Sequence, residues 1–322
     1  MARRTASALA TISVVAASMM FTAHSASAGL VTHCVGSGGA VTVPNDLLVP
    51  AGESCSLEGT TVTGNVLVSA GANLVISDGT VNGEVRVAAD GYLDTTGTRV
   101  DGQVVLAPGG FGASLKSSST GRVVLEPRGS AQAEGFLFVE DASAIDGDLT
   151  AGTGEISVTD SEITGSVSTS GAYFTDLHGT FVDGSLSVLN NATGSVVCGS
   201  TVQGRATFAG SRGGVQLGPN GTLDTCASGG YFARDVSISN TSGGRTTLDD
   251  NIINGRLQLS ANTPAAEVAD NNRIRGGVSG EHTAPGVAGA TAADTRGTAG
   301  QRAQARASAA EAAVAAKGAA RL

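Results

Sequence analysis

The stretch Val62-Thr63-Gly64-Asn65-Val66-Leu67-Val68 decides the fold. Apolar residues stand two places before and two places after the glycine, with polar residues between them. Such period-two alternation is that of a strand with one buried face. The same beat returns at Gly83, Gly102 and Gly121, each nineteen residues after the last, and again at Gly147, Gly165, Gly184, Gly204, Gly255 and Gly276. Two places before these ten markers, from Val62 and Val81 to Ile253 and Ile274, nine residues are β-branched and apolar, Ser119 being the exception. Two places after them, from Val66 to Val278, all ten are apolar. A helix would need a period of 3.6, and the glycine and β-branched content opposes it.

Each repeat carries a second apolar piece, as in Leu74-Val75-Ile76, Ile156-Ser157-Val158, Val196-Val197-Cys198 and Val215-Gln216-Leu217. Between the pieces lie turn signals such as Gly71, Asp78-Gly79, Asp90-Gly91 and Asn190-Asn191. About nineteen residues therefore hold two or three short strands and their turns. One such coil cannot bury its own inner face, but coils stacked about 4.8 Å apart form parallel sheets around a continuous interior. The gap from Gly204 to Gly255 is long enough to hide a further coil around Arg234-Asp235-Val236-Ser237-Ile238. The expectation is a single-domain, all-β parallel β-helix over residues 60–280, with ten or eleven coils and a length on the order of 50 Å.

The pattern resembles the right-handed parallel β-helix of pectin-lyase-like proteins, and its Val-x-Gly-x-Val-x-Val beat is similar to that of bactofilin-type polymer-forming proteins. Its leader-like N-terminus, its Gly/Ala/Thr-rich composition and Cys55 ahead of the first regular coil resemble exported β-helix proteins of actinobacteria, whose role is not established. The resemblance implies a fold. It does not imply one function, because this architecture hosts enzymes, adhesins and filaments alike. The strict six-residue beat of a left-handed β-helix is absent.

Composition agrees with this reading. Of 322 residues 47 are glycine, aromatic residues make up 3% and tryptophan is absent, so Val, Leu, Ile and Ala must fill the core. Met1 to Ala28 reads as a signal peptide: Arg3-Arg4, an apolar stretch, then an Ala26-Ser27-Ala28 cleavage site. No other segment is apolar enough to span a bilayer. The whole chain carries a net charge of −9. Its acidic side chains concentrate in the repeat region, which argues against nucleic acid or anionic lipid as a partner. The four cysteines, Cys34, Cys55, Cys198 and Cys226, allow three pairings, and proximity favours Cys34 with Cys55 and Cys198 with Cys226. Residues 29–59 precede the regular beat and read as an N-terminal cap. Residues 281–322, rich in Ala and Gly, read as a disordered or weakly helical tail without an apolar stripe.

The residues that could carry chemistry are few. By the resemblance, a β-helix enzyme would cleave acidic polysaccharide with carboxylates and engage the sugar acid with Arg or Lys. That reading points to Asp146 and Asp148, to Asp249 and Asp250 beside Arg234 and Arg256, and to Asp270 near Arg273 and Arg275. The competing reading makes each a turn residue, since the place before every marker glycine is polar and Asp146 is one rung among ten. Calcium-loop motifs and a Gly-x-Ser-x-Gly elbow are absent, and His178 between Leu177 and Gly179 has no adjacent second ligand. Thr61, Thr80 and Thr201 share one column but Thr98 and Thr180 fall a place earlier and face elsewhere, so a regular ice-binding array of threonines is not expected. The sequence therefore names no catalytic, cofactor-binding or metal-ligating residue. It favours a secreted, non-catalytic structural or adhesive scaffold at the cell surface or in the extracellular matrix, with wall or matrix polysaccharide, or its own copies, as partners. A polysaccharide lyase or hydrolase is the alternative.

Overall fold

A computed structural model describes residues 30–130, 134–286 and 296–322. The expected signal peptide, residues 1–28, lies outside the described residues. Three parallel sheets run the length of the molecule, two of thirteen strands and one of twelve. Each coil gives one strand to the first sheet, then one to the second, then one to the third. In the third coil these are Val66–Val68, Asn73–Ser77 and Thr80–Val81. Val66, Val85 and Val104 stand opposite one another in the first sheet, and Leu74, Leu93 and Ala113 in the second, so equivalent residues stack into inward columns.

Thirteen coils exceed the ten or eleven expected, and the reason lies at residues 31–59. Read from sequence as a cap, this segment instead forms strands of all three sheets, from Val31–His33 to Ser54–Glu58. Val43, Asn45 and Leu47 repeat the beat with asparagine in the marker place, Val43 opposite Val62 and Leu47 opposite Val66. The coil hidden after Gly204 is present too. There Arg234 takes the marker place, with Phe232 opposite Val202 and Val236 opposite Ala206.

The marker glycine is demanded by stacking. A Cβ on Gly102 would lie 2.5 Å from the Gly83 carbonyl oxygen, and one on Gly184 would lie 2.5 Å from that of Gly165. The backbones touch there because Gly121 N–H donates to Gly102 O at 3.0 Å and Gly184 N–H to Gly165 O at 2.9 Å. Ser119, the one exception to the apolar rule, is resolved by a one-residue shift. Thr120, rather than Ser119, pairs with Val100 and Ile145 and is buried, so the inward column stays β-branched throughout this region.

The corner between the second and third sheets uses the left-handed backbone region, at Asp78, Asp141, Asp160 and Asp250 with φ of 47–57°. Just past it, a buried ladder of hydroxyl groups fills the inside of the turn. Thr98 N–H donates to Ser118 Oγ at 3.2 Å, Ser118 N–H to Ser143 Oγ at 3.0 Å and Thr180 N–H to Ser200 Oγ at 3.1 Å. Thr98 and Thr180 thus face inward. Thr61 and Thr80 pair on the outer column of the third sheet, which Arg99, Ala144, Glu162 and Phe181 interrupt before Thr201.

The tail also departs from expectation. Arg296–Lys317 is a helix, α1, that lies along the outer face of the second sheet. Ala299, Ala303 and Ala310 are buried beneath it, the first two against Tyr92, Phe136 and Phe138. Alanines supply little hydrophobicity, so no apolar stripe stands out in the sequence, yet their small size lets the helix approach an aromatic surface closely. Arg306 stacks over Phe111 at 4.9 Å, and its guanidinium donates to Asn73 Oδ1 at 2.6 Å and to the Asp90 carbonyl at 2.8 Å. Beyond α1 the chain seals the first coil. Ser37 N–H donates to Gly318 O at 2.8 Å, Ala320 N–H donates to Ser37 O at 2.7 Å, and Ala319 bridges Ser37 in parallel.

Both expected disulfides form, Cys34 with Cys55 between the first two coils and Cys198 with Cys226. No helix among the described residues is long and apolar enough to cross a membrane.

Candidate functional site

The longest insertion between described strands, residues 218–230, folds back over the outer face of the second sheet. Cys226 ties it to Cys198, and Leu223 packs with Phe174 and Val196. Gln216, fully buried on the sheet, organises the loop through its side-chain amide. Its Oε1 accepts from Leu223 N–H at 2.9 Å and Asp224 N–H at 3.1 Å, and its Nε2 donates to Asp224 O at 2.8 Å and Gly218 O at 3.1 Å. Gly221 passes against that amide, where any Cβ would collide with it.

This loop delivers Asp224 to His178. On the strand Phe174–His178, Asp176 and His178 are two residues apart and so point to the same face. The His178 Nε2 lies 2.8 Å from Asp176 Oδ1 and 3.1 Å from Asp224 Oδ2. One ligand atom from each of the three falls within 4.8 Å of the others, and Asp176 is wholly buried. His178 is the cross-strand neighbour of Cys198, so the disulfide closes directly beside the cluster. Among the described residues no other group of three His, Cys, Asp or Glu side chains has this geometry.

A second concave feature, of about 490 Å³, lies between α1 and the second sheet, with Tyr92, Asp94, Lys116, Glu140 and Gln304 on its walls. Burial, and then the charge of Asp94, which accepts the Tyr92 hydroxyl at 2.8 Å, push the Tyr92 pKa far above the usual phenol range. Tyr92 is therefore a fixed hydrogen-bond donor there. Near the far end of the rod, Arg245 forms a two-point ion pair with Glu267, and this hydrogen bonding holds the Glu267 carboxyl below the usual range against the opposing effect of burial.

The acids singled out in the sequence do not all converge. Asp148 Oδ1 accepts Ser166 N–H of the next coil at 2.8 Å, as Asp46 accepts Asn65 N–H and Asp235 accepts Arg256 N–H. The rung is thus the residue after the marker, and Asp146, before it, stays exposed. Asp249 is held by Asn220 Nδ2 and Asn271 Nδ2, each at 2.6 Å, and Asp250 occupies a left-handed corner and accepts Gly229 N–H at 3.3 Å. Both lie at the corner between the second and third sheets, whereas Arg234 and Arg256 lie at the corner between the third and first. Asp270, Arg273 and Arg275 are exposed on the last coils, where Arg273 lines one open concavity with Asp250 and Asn271.

The residues flanking His178, Leu177 and Gly179, offer no second ligand. The useful signal was Asp-x-His on a strand, because period two puts those side chains together, while Asp224 is 46 residues away and only the fold supplies it. No family model, curated protein or solved structure matches this chain.

Proposed function

We propose that this protein is a secreted, non-catalytic scaffold of the cell surface or extracellular matrix, a rigid rod whose polar outer faces meet wall or matrix polysaccharide. One observation carries the reading: of the carboxylates an acidic-glycan enzyme would use, Asp148, Asp249 and Asp250 are already engaged in holding coils together, and the other two, Asp146 and Asp270, lie on distant coils. Asp148 and Asp235 bond backbone of the next coil, and Asp249 is clamped between two asparagine amides. A general acid or nucleophile needs freedom to reach substrate and a partner at a defined separation. Asp249 at one corner and Arg234 and Arg256 at another offer neither. Two disulfides are compatible with an oxidising compartment. The resemblance to exported actinobacterial β-helix proteins agrees with export and does not bear on the choice between scaffold and enzyme.

The test is incubation of the purified protein with polygalacturonate, alginate and hyaluronan, following unsaturated uronate absorbance and new reducing ends. The expected result is no product above buffer. Product whose formation Asp249→Ala or Asp250→Ala abolishes would replace the scaffold with a lyase or hydrolase.

A further inference from the structure

We propose that Asp176, His178 and Asp224 bind one divalent transition-metal ion of the zinc class, which pins the 218–230 loop to the second sheet. This goes beyond the scaffold reading and does not depend on it.

The donor geometry is the first argument. Both carboxylates aim at the same ring nitrogen, Nε2 of His178, at 2.8 and 3.1 Å. A single N–H serves one acceptor well, and a second acid gains more by approaching the other ring nitrogen. Three donors meeting at one point are instead what an ion's coordination shell requires. Around an ion holding N and O donors at about 2.0–2.2 Å, neighbouring donors lie about 3–3.5 Å apart. A small opening of the cluster, with the imidazole deprotonated at Nε2, admits the ion.

Charge balance is the second. Two carboxylates and a neutral imidazole sum to two negative charges in a largely buried place, since Asp176 is fully buried and His178 is only 18% exposed at its side chain. A proton on His178 cancels one of them, and a divalent cation cancels both. The imidazole sets the class of cation, because calcium and magnesium favour all-oxygen shells whereas zinc, cobalt and nickel accept mixed nitrogen and oxygen.

The third argument is that the site is built. Asp176 and His178 are fixed by the sheet, which binds their strand on both sides. Asp224 is fixed by Gln216 from below and by the Cys226 bridge two residues on, which lands beside His178. Ligands positioned by their supporting contacts bind an ion without first being ordered. Three protein donors leave a further position for water.

The experiment uses the full exported chain without a histidine tag, stripped with a chelator and titrated calorimetrically with Zn²⁺, with Ca²⁺ as the contrasting ion. The expected result is one saturable zinc equivalent per chain and no calcium binding at equal concentration. A hundredfold excess of zinc over its Kd should raise the Tm by about 5 °C. His178→Gln and Asp224→Asn, checked for an intact Cys198–Cys226 bridge, should each weaken zinc binding about 100-fold or more. Co²⁺ substitution of the unaltered protein gives a check independent of the variants, with visible bands of a four- or five-coordinate mixed N/O site expected. The proposal is overturned if the unaltered protein shows no saturable Zn²⁺ or Co²⁺ binding, which would leave His178 as a protonated bridge between the two acids. It is equally overturned if both variants fold and bind zinc as before.

Discussion

At the scale of single residues, glycine has opposite meanings in the two parts of this chain. At Gly102 the neighbouring coil is so close that a methyl group would enter the backbone of Gly83, 2.5 Å away. Gly102→Ala should therefore cost about 1–3 kcal/mol, as overpacking against an unyielding wall does. In α1, a Cβ on Gly300 would meet nothing within 4 Å, so Gly300→Ala should stabilise the helix by up to about 1 kcal/mol. Urea unfolding of the two variants beside the unaltered protein measures both. Equal shifts in the same direction would show that stacking distance is not what selects glycine at the marker. The same distance explains why the marker was so legible. A steric demand renewed at ten of the coils writes the same letter at a near-regular interval, whereas Asn45 and Arg234 occupy the place without bearing the letter.

At the scale of elements, α1 is held by a few specific contacts on a modest alanine face. Arg306 makes four kinds of them: stacking on Phe111, a bond to Asn73, bonds to the carbonyls of Gly71 and Asp90, and an ion pair with the Asp90 carboxylate. Arg306→Ala should detach or loosen the helix. The measurable outcome is faster amide exchange across 296–317 and a Tm lower by several degrees, with the exchange of the coils beyond Phe174 unchanged. Protection of α1 equal to that of the unaltered protein would mean that the alanine face alone suffices. The strands were legible because period two and β-branched residues speak locally. The docking of α1 was not, because its partners are outward aromatics on distant coils and alanine hardly registers as hydrophobic. The Asp176, His178 and Asp224 cluster was half legible: strand alternation joins the first two, and only the folded insertion adds the third.

At the scale of the whole molecule, a stack of parallel strands presents unpaired backbone at each end, where another chain can add. The described structure covers part of one such edge with its own C-terminal residues, through Gly318, Ala319 and Ala320 on Ser37. Truncation after residue 295 should uncover that edge. Light scattering over increasing concentration is expected to show association that the full chain lacks, and a truncated chain that stays monomeric would show that the seal is not what prevents end-to-end growth. The segment making this seal reaches it by a fixed span. Ala299 borders Glu134, Glu155 and Tyr173 on the sixth to eighth coils and Gly318 meets the first, five to seven coils away, about 24–34 Å at the strand spacing. The nineteen backbone steps from Ala299 to Gly318, at the helical rise, advance about 28.5 Å, within that span. The helix is thus a ruler laid against the stack. A coil gained or lost past Phe174 leaves the measurement intact, but one gained or lost under α1 puts its end a full strand spacing out of step with the edge it closes. The length of the first half of the rod is in this way written twice in one chain, once in coils and once in helical turns.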